Sequence, residues 1–249
     1  QNSVHAVAQT RDGYLWVGTR EGLARFDGVR FTSLDETAPQ QLRHGWITAL
    51  CAVRDGSLWI GSEGFGLAHW KEGTFTRFSE ADGLLSNQIR CLLVGRDGAL
   101  WIGSEGGLTC YKDGKFSNFT EKNGLLSSSV RGLCEDGQGN LHIATARGLS
   151  TLNKEGRIRT LEIRPRTAAN SLKFVCESRQ GGVWTGSNEG LNRVEGESVS
   201  TYGPEEGLPN RLVMAGYEDR QGQLWVGTYH GIALRSEDRF VPWPDREGV

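Results

Sequence analysis

Apolar residues fall in short alternating runs of five to seven, each closed by a Gly-bearing turn, as in "ITALCAV", "LWIGS", "GLAHW" and "TFTRF", broken at "RDG", "EGF" and "KEG". Alternation with period two predicts half-buried strands, and the turn residues between them predict hairpins. The pattern then returns. Trp16, Trp59, Trp101, His142, Trp184 and Trp225 stand at matching places, spaced by 43, 42, 41, 42 and 41 residues. Twelve residues before these markers lies one apolar register: Val4, Ile47, Ile89, Val130, Leu172 and Val213.

Four strands per repeat, apolar on both faces, have no stable existence alone and must stack on the next repeat. A period of about 42 residues with four strands predicts an all-β chain, a β-propeller of six blades. The blades fall at about 1–43, 44–86, 87–127, 128–169, 170–210 and 211–249, as a single domain. The last stretch, "WPDREGV", joined to Gln1, reads as one more connector, so that closure would rest on packing of the first blade on the last.

Two glycines recur within each repeat. The one three residues before the marker, from Gly13 to Gly222, suits a turn with positive φ. The one two residues after it, replaced by Ala144 in the fourth repeat, suits close passage of a large neighbour, with the marker Trp as candidate. Trp16, Trp59, Trp101, Trp184 and Trp225 themselves read as core.

Composition narrows the function classes. With 28 Lys and Arg against 30 Asp and Glu, the net charge of -2 gives no basic field for nucleic acid or an anionic bilayer. No apolar stretch reaches membrane-span length, so no direct membrane insertion is expected, and the N-terminal residues carry no signal-peptide pattern. Five cysteines lack metal-site spacing, and Cys51, Cys134 and Cys176 share one repeat position as buried thiols. No H-E-x-x-H or G-x-S-x-G motif is present, and neither catalytic residues, a metal nor a cofactor is implied.

The phrases "DGYLWVGTREGLARFDG", "DGSLWIGSEGFGLAHW" and "DGALWIGSEGGLTCYKDG", with connectors such as "EEGLPNRLV", resemble the two-component regulator propeller family. The resemblance implies an extracytoplasmic, periplasmic sensor region of bacterial signalling proteins, ahead of a membrane span in hybrid histidine kinases or diguanylate cyclases, and a role in sensing carbohydrate breakdown products. This chain departs from that pattern in having six repeats and no signalling domain, and in "NLHIATARGL", where His142 and Ala144 replace Trp and Gly.

Candidate chemistry lies where repeats differ. Eleven residues before the markers stand His5, Thr48, Arg90, Arg131, Lys173 and Met214, at the head of each inner strand, where cations would converge on a channel mouth. Acidic neighbours Glu135, Glu177 and Glu218 are the alternative partners for those cations. The loop after each marker strand adds Arg20, Glu21, Phe65, Arg147, Asn188, Glu189, Tyr229 and His230, and Trp46 is an extra aromatic outside the repeat pattern. The expected ligand site is His5, Trp46, Arg90, Arg131, Lys173, Tyr229 and His230, binding a small polar or carbohydrate ligand without catalysis. A protein-interaction scaffold and a propeller hydrolase or lyase built on His5 and His230 stay open as alternatives.

Overall fold

The computed structural model describes residues 3–34, 36, 38–161, 163 and 171–243. Six antiparallel four-stranded sheets, each hydrogen-bonded in chain order, make the chain a six-bladed β-propeller. Blade 1 holds β1 (Val4–Gln9), β2 (Leu15–Thr19), β3 (Gly22–Phe26) and β4 (Phe31–Ser33). A short helix, α1 (Gln40–His44), which the strand pattern did not anticipate, leads to blade 2: β5 (Ile47–Ala52), β6 (Leu58–Ser62), β7 (Leu67–Lys71) and β8 (Thr74–Phe78). Blade 3 is β9 (Ile89–Val94), β10 (Leu100–Ser104), β11 (Gly107–Lys112) and β12 (Lys115–Phe119).

Blade 4 is β13 (Val130–Glu135), β14 (Leu141–Thr145), β15 (Gly148–Leu152) and β16 (Ile158–Leu161). Blade 5 is β17 (Phe174–Glu177), β18 (Val183–Gly186), β19 (Leu191–Glu195) and β20 (Ser198–Tyr202); blade 6 is β21 (Val213–Glu218), β22 (Leu224–Thr228), β23 (Gly231–Ser236) and β24 (Arg239–Pro242). The chain divides into two compact units, one of Gln1–Asn123 with Ser128–Val130, the other of Gly124–Ser127 with Arg131–Val249. The first holds blades 1 to 3 and the second, apart from Val130, blades 4 to 6. The expected connector at the C-terminus, 244–249, and the boundary between blades 4 and 5 at 169 and 170 lie outside the described residues.

The recurring residues each have a local task. The glycine three before the marker has positive φ in all six blades, from 80° at Gly98 and Gly139 to 93° at Gly181, the left-handed region that a side chain disfavours. Turn aspartates hold the same bends: Asp55, Asp97, Asp136 and Asp219 each accept a backbone N–H two residues on. The hydroxyl that follows the motif's glycine donates to a glycine carbonyl across the next hairpin in every blade, from Thr19 to Gly22 at 2.9 Å through Thr228 to Gly231 at 2.8 Å. Six repeats of one sequence phrase thus close six hairpins by one bond.

Between blades, the joint differs from the sequence expectation. The glycine after the marker faces a side chain at the head of the next inner strand and not the Trp. A Cβ at Gly18 would stand 2.6 Å from Ile47 Cγ2, and one at Gly61 2.5 Å from Ile89 Cγ2. At Gly103 it would meet Val130 Cγ1 at 2.6 Å, and at Gly186 Val213 Cγ1 at 2.8 Å. The reason is geometric: a branched side chain standing up from one sheet needs a bare backbone on the sheet it meets. Ile47, Ile89, Val130, Leu172 and Val213 are accordingly fully buried, while Val4 is 54% exposed. Each such burial contributes about 1.5–3 kcal/mol.

The marker tryptophans sit further out and wedge between blades. Trp16, Trp59 and Trp184 are buried, and Trp101 and Trp225 are half-buried. Trp16 meets Trp70 of β7 with ring centroids 5.0 Å apart, Trp59 meets Tyr111 of β11 at 5.7 Å, and the Arg235 guanidinium of β23 lies 5.1 Å from the Trp184 ring.

Candidate functional site

The first unit carries a cleft of about 430 Å³ beside blade 2. Trp46 stands immediately before β5, its carbonyl accepting the Glu63 N–H at 2.9 Å. Phe65 projects from the loop between β6 and β7, which is one residue longer here than in the other blades. Gly64 and Gly66 donate to the Asn87 carbonyl at 3.0 and 3.2 Å and pin that loop. Gln40, Gln41 and His44 of α1 form the opposite wall.

Each aromatic is backed by a cation. The Arg20 guanidinium lies 4.6 Å from the Trp46 ring centroid, and that of Arg77 lies 4.6 Å from the Phe65 ring while its Nε donates to the Phe65 carbonyl at 2.9 Å. Such stacks fix the ring planes and add about 0.5–1 kcal/mol each where exposed. His5 completes the group, with its ring 5.3 Å from that of Trp46. Desolvation, and then the Arg20 charge, lower its pKa, so the imidazole holds a proton less readily than in water. Trp46 keeps its Nε1–H buried without a protein partner, an arrangement that costs about 1–3 kcal/mol when nothing accepts the bond.

Arg90 is not the free donor that its position suggested. Its guanidinium is clamped by Glu63 and Glu105, at 2.8 Å each, and the clamp joins blades 2 and 3. Glu63, which lines the cleft, thus spends part of its carboxylate on Arg90. The strand pattern did not single out Glu63, Arg77 or the α1 glutamines. The lengthened "EGFGL" loop was the available signal for this side of blade 2.

The second unit holds the other expected site residues. Lys173 precedes β17, and its pKa is lowered by burial and then by the Arg131 charge, which places the two cations within electrostatic reach. Tyr229 and His230 follow β22 with rings 5.3 Å apart, and His230 Nδ1 lies 3.2 Å from Asn210 Nδ2. Glu177 and Glu218, the acidic alternatives, instead accept backbone amides from the preceding blade, from Gly137 at 2.6 Å and from Arg179 at 3.0 Å. His5 and His230 thus meet an aromatic and an amide. Among the described residues no cluster of three or more His, Cys, Asp or Glu can hold a metal ion, and no helix is long and apolar enough to cross a membrane.

No curated protein matches the chain. Among solved structures it is similar to virginiamycin B lyase from Staphylococcus aureus, at 13% identity over 98% of this chain and 85% of that one, with a TM-score of 0.78. It is similar to the extracellular domain of a putative one component system from B. thetaiotaomicron, at 20% identity over 97% of this chain and 36% of that one, with a TM-score of 0.77. The extracellular domain of a putative hybrid two component system from the same organism gives 20% identity, 99% and 40% coverage, and a TM-score of 0.57. The chain spans well under half the length of these last two. At such identities the likeness is one of fold. Sequence adds a family match: residues 1–21, 41–64, 83–106 and 207–230, in blades 1, 2, 3 and 6, match the two component regulator propeller family.

Proposed function

We propose that the chain is a non-enzymatic recognition module of a bacterial signalling protein, and that it binds a small polar or saccharide ligand in the Trp46–Phe65 cleft. The observation that carries this reading is the pair of cation-backed aromatic faces, Arg20 on Trp46 and Arg77 on Phe65, bracketing the Glu63 carboxylate. A sugar ring presents C–H faces that stack on aromatics and hydroxyls that donate to a carboxylate, so one ligand uses both features. Tyr229, His230, Arg131 and Lys173 belong to the second unit and are not needed for this site.

The family of the repeat and the extracellular placement of the two B. thetaiotaomicron domains support an extracytoplasmic sensor. The likeness to virginiamycin B lyase, at 13% identity, is one of fold alone and brings no catalytic residues to this cleft.

The test is a thermal-shift panel of oligosaccharides, amino acids and organic acids. A ligand present at 100 times its Kd stabilises the folded state by about 2.7 kcal/mol. A saccharide shift that Trp46→Ala and Phe65→Ala each abolish supports the proposal. A shift that survives both variants, or a panel with none, overturns it.

A further inference from the structure

Blade 4 is the one repeat whose marker is not Trp, and beside it opens a cleft of about 900 Å³ lined by His142, Leu149, Thr151, Arg159, Val183 and Val194. It lies between blades 4 and 5 and belongs wholly to the second unit.

His142 keeps half of the tryptophan's role. In blade 6 the Trp225 Nε1–H donates to the turn residue Asp219 at 3.1 Å. In blade 4 the His142 Nε2 lies 2.9 Å from Asp136, at the same offset. A carboxylate only accepts, so Nε2 carries the hydrogen; Nδ1 is left to accept from the Thr151 hydroxyl at 3.2 Å. The imidazole thus takes the place of the pyrrole ring of the indole and retains its N–H bond. What is missing is the six-membered ring.

The partner across the joint is reduced as well. Opposite the markers of blades 1 and 2 stand Trp70 and Tyr111; opposite His142 the corresponding residue of β19 is Val194, buried on the cleft floor. Leu149 and Val183 complete an apolar floor. Around it Thr151, Thr160 and Thr201 supply hydroxyls, and Arg159 and Glu197 exposed charges. A site that lacks an aromatic ring over an apolar floor, inside a polar rim, is complementary to a ring with a polar substituent.

We infer that the cleft between blades 4 and 5 is a second binding site, one for a small aromatic compound bearing a hydroxyl or amino group, whose ring occupies the space the indole leaves. The experiment uses the full chain and phenol as the probe, with glucose as the polyol alternative, and reads ligand-observed saturation-transfer NMR and melting temperature. Phenol is expected to show saturation transfer from the ring protons, and His142→Trp to weaken it at least tenfold while raising the melting temperature without ligand. Should His142→Trp fail to fold, Val194→Phe fills the same space from the facing strand and is expected to act alike. Trp46→Ala leaves phenol binding unchanged, which separates this site from the first cleft. Saturation transfer to glucose and not phenol, no transfer to either, or phenol binding that persists in the filled variant overturns the inference.

Discussion

A single methyl at Gly61 tests how the blades are joined. The added Cβ of Gly61→Ala would stand 2.5 Å from Ile89 Cγ2, 3.0 Å from Ile89 Cβ and 3.3 Å from Ala49 Cβ, whereas carbons rest at about 3.5–4.0 Å. Ile89 is fully buried, so its side chain must move by about 1 Å into neighbours already close-packed. Overpacking of this kind costs about 1–3 kcal/mol, and the gap is severe enough to place Gly61 near the top of that range. The alanine recovers about 0.5–1 kcal/mol by restricting the unfolded chain, leaving a net loss of about 2 kcal/mol.

Gly227 holds the same register in blade 6, but there a Cβ finds Ala215 at an ordinary 3.7 Å. Gly227→Ala is therefore expected to be neutral or to stabilise by about 0.5 kcal/mol. Urea unfolding followed by tryptophan fluorescence measures both. Ile89→Leu removes the offending Cγ2, so the double variant with Gly61→Ala should be less damaged than the sum of the singles by about 1 kcal/mol. Equal effects at Gly61 and Gly227, or strict additivity with Ile89→Leu, would refute the joint as described.

Three further outcomes follow from other parts of the fold. Trp184, fully buried between Tyr202 and the Arg235 guanidinium, should cost about 3–5 kcal/mol when replaced by Ala, measured in the same unfolding series. Burial alone would raise the Asp136 carboxyl, but donation from Asn140 and His142 holds it below the ordinary carboxylate range. A lowered folded value means stability that is present above the unfolded pKa of about 4 and lost as pH falls through the folded one; the urea midpoint should drop on acidification, less steeply in Asp136→Asn. The Cys91 and Cys176 thiols, both pushed up to about 12 chiefly by burial, leave about one molecule in ten thousand as thiolate at pH 8. Dithionitrobenzoate should therefore label both slowly in the folded chain and completely in denaturant.

The sequence made the blades legible because their signals are local. Period-two alternation, a turn glycine with positive φ and a hydroxyl after the motif's glycine all act within one hairpin. Joints between blades were legible only in part: the need for a bare backbone at Gly18, Gly61 and Gly103 was visible, but its partner was not. Periodicity orders residues along a strand and leaves open which register of the next sheet they meet, so Ile47, Ile89 and Val130 take the place expected of Trp. Arg90 shows the same limit. Its position at the strand head was read correctly, yet Glu63 and Glu105, which clamp it, sit in loops where the repeats vary. His142 was visible as an exception, while its bonds to Asp136 and Thr151 required the fold, since Asp136 looked like one more turn residue.

The joint also has a direction. Every blade from the second to the fifth offers a branched aliphatic on one face and a glycine or alanine on the other, so the interface is heterologous, head to tail, and never self-complementary. The aliphatic–glycine pair therefore survives removal of a whole repeat inside a unit: loss of residues 47–88 would set Gly18 against Ile89 in place of Ile47, the same pair of residue types, while the Arg90 clamp would lose Glu63 and keep Glu105. Length in such a chain is a quantity that recombination can alter in steps of one repeat, while the small-residue and aliphatic pair of each joint is kept.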